Sequence, residues 1–587
     1  MEGRPRPDPT PLLVAAGLDP AQVSAILTPY GITKPAEADA NIQSMAGEPH
    51  TRKLLATILP NLLAEVARTA DPDQALNHWE RLFSGGGNRA SLLRYLQSSP
   101  KMLGLLCTIF GNSDSLAFVL IRDPMLVYWL AEEEVLTVAP TKAGMAAALR
   151  HNLETLTATE LKLDVLRRVR RREMLRIGVR DLFRLATVKE TTGALSDLAS
   201  VLIHAAYELI DRDLRSVHGT PMHRQANGQW VETEFAVIGM GKLGAHELNY
   251  SSDVDLIYVY ASADGETRKG KRGRSSPSDG LSNEEYFEML ARSLTKALAE
   301  QTREGAVFRV DLRLRAEGSV GQLARSIEAY ERYYAQRGQV WERLALLKAW
   351  PIAGSRAVGE SFVRMAERFI FQPDAANLTK DRALAVVREV RSVKEMIDEK
   401  IAGRGHQHRN VKLGIGGIRE IEFLVQTIQV LAGRIVPGIL DRRTVGALER
   451  MWRHRFVNED DQVRLTEAYW FLRDVEHKLQ MMHDLQTHAL PDSDEELERC
   501  AIRMGYGLES RASALAQFLK DRARHTATVN ELFRSLFYHP ESSPLFAAML
   551  VAAEGHLDRN LSSAKKGTGP AGPPPDRSST AKKKRKP

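Results

Sequence analysis

The 587-residue sequence has only two cysteines, Cys107 and Cys500. They lie far apart, each in an apolar, helix-like stretch, which favours two reduced core thiols over a disulfide. No apolar run approaches the ~20 residues that a bilayer-spanning helix needs. The first ten residues lack the apolar stretch of a signal peptide. These absences predict a cytoplasmic protein with no membrane segment.

Before residue 565 the sequence has no excess of positive or negative charge. Residues 565–586 contain eight basic side chains and one acid, which accounts for the whole formal net charge of +7. The rest of the chain is neutral overall, so nucleic acid is not expected to bind the folded body. Residues 556–587, which include GPAGPPP, are too poor in apolar residues to bury a core. They predict a disordered basic tail that makes at most weak, salt-sensitive contacts with polyanions.

Hydrophobic periodicity divides the remaining chain into three regions. Residues 1–230 and 356–555 have helical patterns, and residues 231–355 contain short apolar runs typical of strands. The predicted strands are 235–238, 256–260 and 307–314, with a helix that begins at Ser282 before the last of them. This order predicts an α+β domain, residues 231–355, between an N-terminal and a C-terminal helical domain.

The most informative short motif is the pair Asp253 and Asp255. Alternate residues of a strand face the same side, so both carboxylates can reach one site, while Val254 and Leu256 face the other side. Such a pair suits two Mg²⁺ ions about 3.5–4 Å apart, which can clamp both oxygens of an in-line phosphoryl displacement. Aspartate is also common at strand starts and in turns. The two aspartates alone therefore do not establish a metal site, and the neighbouring residues have to be considered.

The segment before these aspartates, Gly239 to Gly244, has the pattern G-x-G-x-x-G. A dinucleotide-binding fold would need a helix to follow and an acidic residue about 20 residues on. Here the turn residue Asn249 comes almost at once, and the aspartates follow Gly241 by only twelve and fourteen residues. A P-loop is also excluded, because Lys242 is not followed by Ser or Thr.

A glycine turn that holds phosphate fits this segment better. The backbone N–H groups at Gly239 and Gly241, together with the Lys242 ammonium, are predicted to bind phosphate oxygens. Ser251 and Ser252 are then expected at the edge of the metal site. The alternative for Lys242 is a solvated lysine in a turn.

The predicted third strand carries alternating charges. Arg309, Asp311, Arg313 and Arg315 share one face, opposite apolar residues. A half-exposed edge strand also alternates in this way. Asp311 is nevertheless predicted as a third metal ligand or base, and Arg313 and Arg315 as groups that neutralise phosphate charge.

Six segments in order resemble the bifunctional glutamine synthetase adenylyltransferase/adenylyl-removing enzymes of the nucleotidyltransferase superfamily. They are GMGKLGAHELNYSSDVDLI, LSNEEYF, FRVDLRLR, VWERLALLKAWPIAG, VKLGIGGIREIEFLVQ and FLRDVEHKLQMMHDLQTHALP. The resemblance covers most of residues 80–495 and implies a nucleotidyltransferase-type mixed sheet. Members of that family carry two catalytic halves, and this sequence has one set of motifs. The sequence of these motifs is more similar to the N-terminal, adenylyl-removing half.

This resemblance implies a reaction and a set of residues. Inorganic phosphate would attack AMP-tyrosine on glutamine synthetase and give ADP, with Mg²⁺ held by Asp253, Asp255 and Asp311. Glu420 and Glu422 would support the site, or equally form structural salt bridges. Two alternatives stay open: adenylylation of glutamine synthetase from ATP, and a non-catalytic scaffold that binds glutamine synthetase or a PII-type signal protein.

Overall fold

The computed structural model describes residues 6–15, 17–85, 88–269, 280–371, 378–402, 408–483, 486–507 and 511–566. Helices fill the chain up to residue 218, and several begin with proline, whose fixed φ suits the first helical position. They are α1 (Pro11–Val14), α2 (Pro20–Leu27), α3 (Pro35–Ala46), α4 (Pro49–Val66), α5 (Pro72–Ser84), α6 (Arg89–Ser98), α7 (Pro100–Asn112), α8 (Asp114–Arg122), α9 (Leu126–Leu130), α10 (Glu133–Thr137), α11 (Lys142–Leu153), α12 (Thr159–Leu182) and α13 (Val188–His218).

Helix α13 is the one helix of the described residues that is long and apolar enough to cross a bilayer, but 67% of its most apolar window is buried inside the protein. A capping box between Thr187 and Glu190 begins this helix, and Gly219, at φ 89°, follows its end. Its packing against α12, α15 and the edge strand of the main sheet makes it a core helix. Cys107 and Cys500 are both buried free thiols, as predicted.

Two sheets follow α13. The strands are β1 (Thr220–Arg224), β2 (Trp230–Glu232), β3 (Phe235–Gly239), β4 (Val254–Tyr260), β5 (Glu266–Arg268), β6 (Val310–Asp311), β7 (Ala324–Ser326) and β8 (Trp350–Gly354). β2, β1 and β5 form a small antiparallel sheet, and the main sheet has the order β6-β4-β3-β8, with β7 also paired to β4. β3 is antiparallel to β4 and β8, and β4 is parallel to β6 and β7. The fold is therefore α+β with a mixed sheet, as predicted.

The remaining helices lie between the strands or after them. They are α14 (Gly241–Gly244), α15 (Asn283–Ala299), α16 (Ile327–Arg337), α17 (Val340–Leu346), α18 (Arg356–Ile370), α19 (Lys380–Ala402), α20 (Ile418–Ala432), α21 (Thr444–Arg453), α22 (Glu459–His483), α23 (Asp494–Arg503), α24 (Arg511–Tyr538) and α25 (Pro544–Lys566). The capping box predicted at Ser282 begins α15.

The two faces of the main sheet pack against different hydrophobic cores. Leu256 and Tyr258 of β4 belong to the core formed with the N-terminal helices. Ile257 and Val259 belong to the core formed with α16 to α22, α24 and α25. Since side chains alternate along a strand, Asp255 faces the C-terminal helices. The predicted parity is confirmed, and it places the aspartates at the border between sheet and helices.

Two predictions about local structure are wrong. The strand expected at 307–314 is reduced to Val310–Asp311, because the Asp311 carboxylate accepts the backbone N–H of Arg313 and turns the chain. Residues 556–566 were expected to belong to the tail, but they continue α25, which ends at Lys566. The rest of the predicted tail lies outside the described residues. The domain borders stay a prediction, although β1 already begins at Thr220, before the predicted border at 231.

Candidate active site

The structure brings the three predicted aspartates to one cavity of about 490 Å³, a volume typical of small-molecule sites. Parallel pairing of β4 with β6 sets the Cα of Asp255 directly opposite that of Asp311. Asp253 comes one residue before β4 begins. Two neighbouring strands and the turn into one of them therefore hold the three side chains.

The aspartates affect one another electrostatically. Burial, and then the charges of Asp311 and Asp253, raise the pKa of Asp255 to about 6. Burial acts in the same direction on Asp311, but hydrogen bonds from Arg313 outweigh it and bring the pKa of Asp311 below its usual value. Asp253 accepts a hydrogen bond of 2.8 Å from Nε of Arg309. Asp253 and Asp311 thus have arginine partners. Asp255 has the raised pKa, so its charged form would gain the most from a bound cation.

The described residues contain no group of three His, Cys, Asp or Glu side chains close enough to hold one metal ion as they stand. The three aspartates line one cavity without forming a ready-made cluster. Their donor chemistry still fits Mg²⁺, which prefers carboxylate oxygen and is commonly bound through only one or two carboxylates. Asp255 is the strongest candidate ligand, and Asp253 and Asp311 lie beside it.

Gly241 places the glycine turn against this carboxylate. Its φ is +52°, and a Cβ added to it would lie only 2.3 Å from Oδ2 of Asp255. Any side chain would therefore collide with the carboxylate. Gly239 has a different role: it is a buried β3 residue beside Ile352 and is not among the residues lining the cavity. The structure gives it a packing role in place of the predicted contact with phosphate.

Lys242 lines the cavity but already has a partner. Its ammonium donates a hydrogen bond of 2.6 Å to Glu476 of α22, whose side chain is completely buried. Asn249 also donates to Glu476 at 2.7 Å, and Nδ1 of His488 lies 2.8 Å from it. Burial lowers the pKa of Lys242 to about 7 despite the attraction of Glu476. The predicted solvated or phosphate-binding lysine is therefore an ion-pair partner in this arrangement.

The remaining predicted residues divide between the cavity and its supports. Ser252 and Arg313 line the cavity. Ser251 is buried and does not line the cavity. Its carbonyl accepts a hydrogen bond from Arg309. The prediction for Arg315 is wrong: its buried guanidinium donates to the carbonyls of Leu312 at 2.8 Å and Gly321 at 2.9 Å. It closes the turn after β6 and is not free for phosphate.

The two predicted supporting glutamates, Glu420 and Glu422, differ in their position relative to the cavity. Glu420 is buried, lies 3.2 Å from the ammonium of Lys394 and does not line the cavity, so its role is structural. Glu422 does line the cavity, where it accepts a hydrogen bond of 2.5 Å from Lys348 and lies 3.2 Å from Arg419. Burial would raise the pKa of Glu422, but these cations hold it well below its usual range.

Four functional candidates were not predicted: Lys348, Lys412, Arg419 and Glu476. The first three add positive charge to the cavity. All four lie in segments whose sequence resembles that of the family. Arg419 and Glu422 also have the i, i+3 spacing of a helical ion pair. Spacing alone could not show that residues more than 80 positions after the end of β4 return to the aspartates.

Two family models match parts of this chain. The family model described as glutamate-ammonia ligase adenylyltransferase matches residues 103–365, which include the main sheet and the three aspartates. Residues 103–365 form a domain of the glutamate-ammonia ligase adenylyltransferase family. A second model, described as GlnD PII-uridylyltransferase, matches residues 391–537, which supply the helical wall of the cavity.

Similar full-length proteins carry the name bifunctional glutamine synthetase adenylyltransferase/adenylyl-removing enzyme. The protein of Nitrosococcus oceani is 38% identical over 75% of this chain and 43% of its own length. That of Rhizobium meliloti is 40% identical over 62% of this chain and 36% of its own length. That of Thioalkalivibrio sulfidiphilus is 37% identical over 77% of this chain and 43% of its own length. The chain thus matches less than half the length of these relatives.

Proposed function

We propose that this chain removes AMP from an adenylylated tyrosine of glutamine synthetase by phosphorolysis. An oxygen of inorganic phosphate attacks the AMP phosphorus, the bond from phosphorus to the tyrosine oxygen breaks, that oxygen takes up a proton, and ADP leaves. The observation that carries the proposal is the register of Asp255 opposite Asp311 in a cavity that cationic side chains also line. A cytoplasmic location and contact with a PII-type signal protein belong to the same proposal, the latter supported by the match of residues 391–537.

The chain's own residues supply positioning and charge. Asp255, with Asp253 and Asp311, would hold Mg²⁺, which when bound neutralises phosphate charge and polarises the reacting phosphorus. Gly241 allows the turn to approach that site without a side chain in the way. Arg313 forms an ion pair with Asp311, and its own side chain is exposed, so it can move to a phosphate oxygen when the carboxylate turns to a metal. Trp341 and Phe423 give the cavity an apolar part suited to a nucleotide base.

The test is ADP release from adenylylated glutamine synthetase in the presence of Mg²⁺ and phosphate. Asp255→Asn should abolish release, because the substitution removes a charged ligand and keeps the shape. Asp213→Asn, at an exposed position on α13, is the matched control and should keep wild-type activity. Equal ADP release by wild type and Asp255→Asn contradicts the assigned site.

The relatives' names also include adenylyltransferase, which favours a second reaction at the same site. In that direction unmodified glutamine synthetase and ATP would give pyrophosphate. Pyrophosphate formation without ADP release would assign adenylylation to this chain. Binding of glutamine synthetase without either product would identify a scaffold.

A further inference from the structure

Lys412 differs from the other lysines that line the active-site cavity. Lys242 is paired with Glu476 at 2.6 Å and Lys348 with Glu422 at 2.5 Å. The ammonium of Lys412 has no hydrogen-bond or ion-pair partner among the residues that the structure describes. A positively charged group left without a partner in a partly enclosed site is costly unless a ligand supplies the missing charge.

The carboxylates nearest to Lys412 do not fill this gap. Asp255, Glu476 and Glu422 all act electrostatically on Lys412, but from beyond ion-pair distance. Glu476 and Glu422 each already have cationic partners. Burial, together with the nearby charge of Arg419, lowers the pKa of Lys412. On its helical side the site therefore has more positive charge than the carboxylates of the described residues neutralise by contact.

The backbone around Lys412 is held in place. The Asn410 side chain accepts the backbone N–H of Lys412 at 3.0 Å, and the carbonyl of Lys412 accepts the N–H of Arg419 at 2.9 Å. Val411 donates to the carbonyl of His488 at 2.8 Å. These bonds fix the backbone from which the Lys412 side chain enters the cavity, so this part of the site is ordered before a ligand binds. Such prior ordering lowers the entropy cost of binding.

We propose that Lys412 binds a dianionic phosphate group in this cavity, either free inorganic phosphate or the terminal phosphate of a nucleotide. The inference rests on the proposed function, because it assigns Lys412 to the phosphate that the reaction consumes or that the product carries. Asp255 and the other aspartates come from the sheet, and Lys412 comes from the loop before α20. A phosphate bound between them would bridge the sheet and the C-terminal helices.

The test measures binding of phosphate, ADP and adenosine to the full chain by calorimetry, with Mg²⁺ present. Lys412→Met should weaken the binding affinity for ADP and for phosphate by at least about tenfold, which is the scale of one charge-assisted hydrogen bond. The affinity for adenosine should not change. Lys412→Arg should keep most of the affinity. Lys520→Met, at an exposed position on α24, is the matched control. Loss of ADP affinity alone identifies the nucleotide's phosphate as the ligand, and loss of phosphate affinity alone identifies the free ion.

Thermal unfolding separates this role from a structural one. The ligand-free Lys412→Met protein should melt at or above the wild-type temperature, because no ion pair is lost. A lower melting temperature together with unchanged ADP and phosphate affinities would overturn the proposal and make Lys412 a structural residue. If wild type binds none of the three ligands, the inference fails together with the proposed nucleotide site. If Lys412→Met loses phosphate binding while the wild-type chain releases no ADP from adenylylated glutamine synthetase, the proposed function fails and the inference stands.

Discussion

Lys242 of the glycine turn and Glu476 of α22 form an ion pair of 2.6 Å across the border between the sheet and the C-terminal helices. Glu476 also accepts a hydrogen bond of 2.7 Å from Asn249, five residues after the short helix of the turn ends at Gly244. One carboxylate of a helix more than 200 residues away thus holds both ends of the segment that leads to Asp253 and Asp255. The position of the candidate site depends on this contact between the glycine turn and α22.

Glu476→Gln should destabilise the protein strongly. The substitution keeps the shape but leaves the ammonium of Lys242 buried without an opposite charge, and breaking a buried pair typically costs about 3–5 kcal/mol. Urea unfolding should show a lower free energy of unfolding. The same change at Glu554, an exposed position on α25, should leave the free energy of unfolding within about 0.5 kcal/mol of wild type.

Gly241→Ala should abolish activity. The added Cβ would lie 2.3 Å from the Asp255 carboxylate, at a φ of +52°. Gly305→Ala separates the two effects, because Gly305 also has a positive φ, of +85°, but has no atom within 4 Å of an added Cβ. We expect at least a tenfold loss of ADP release for Gly241→Ala and little loss for Gly305→Ala, which should cost only about 1 kcal/mol of stability. Equal losses would mean that backbone strain, and not the collision, matters.

Asp255→Asn should change how Mg²⁺ affects stability. Asp255 is partly buried beside Asp311 and Asp253, so removing its charge relieves repulsion in the metal-free protein. In EDTA the variant should melt at or above the wild-type temperature. Added Mg²⁺ should raise the melting temperature of wild type and not that of the variant. An equal rise in both proteins would place the metal elsewhere.

His477 should make stability sensitive to acid. Its ring is completely buried, and burial lowers its pKa to about 4. The unfolded chain, with a histidine pKa near 6.5, binds a proton that the folded protein does not bind, so the stability that depends on neutral His477 is lost as the pH falls from about 6.5 towards 4. Urea unfolding at pH 7.5 and 5.0 should show a smaller decrease for His477→Gln than for wild type. Equal decreases would contradict a neutral buried imidazole.

Short-range patterns in the sequence predicted much of this structure. The parity of Asp253 and Asp255, the capping box at Ser282 and the α+β class follow from local patterns and are confirmed. The mixed sheet was expected from the family resemblance and is confirmed as well. The strand expected around Asp311 failed because alternation does not reveal a side chain that bonds to the backbone two residues later, as Asp311 does with Arg313.

Long-range contacts account for what the sequence did not reveal. Lys242 and Arg315 were predicted as phosphate ligands from their charge, and each instead has protein partners that only the folded chain brings near. Lys348 and Lys412 reach the cavity, and Glu476 reaches Lys242, through the packing of α17, α20 and α22 around the site. Charge and spacing along the chain cannot predict which cations will be paired and which will stay free.

The most direct measurement follows isotopically labelled phosphate through the reaction. Adenylylated glutamine synthetase is incubated with this chain, Mg²⁺ and ¹⁸O-labelled inorganic phosphate, and the nucleotide products are examined by mass spectrometry. Phosphorolysis predicts ADP with the label in its β-phosphate and no such product with Asp255→Asn. Release of AMP, or of no nucleotide at all from a substrate that remains adenylylated, would contradict the account.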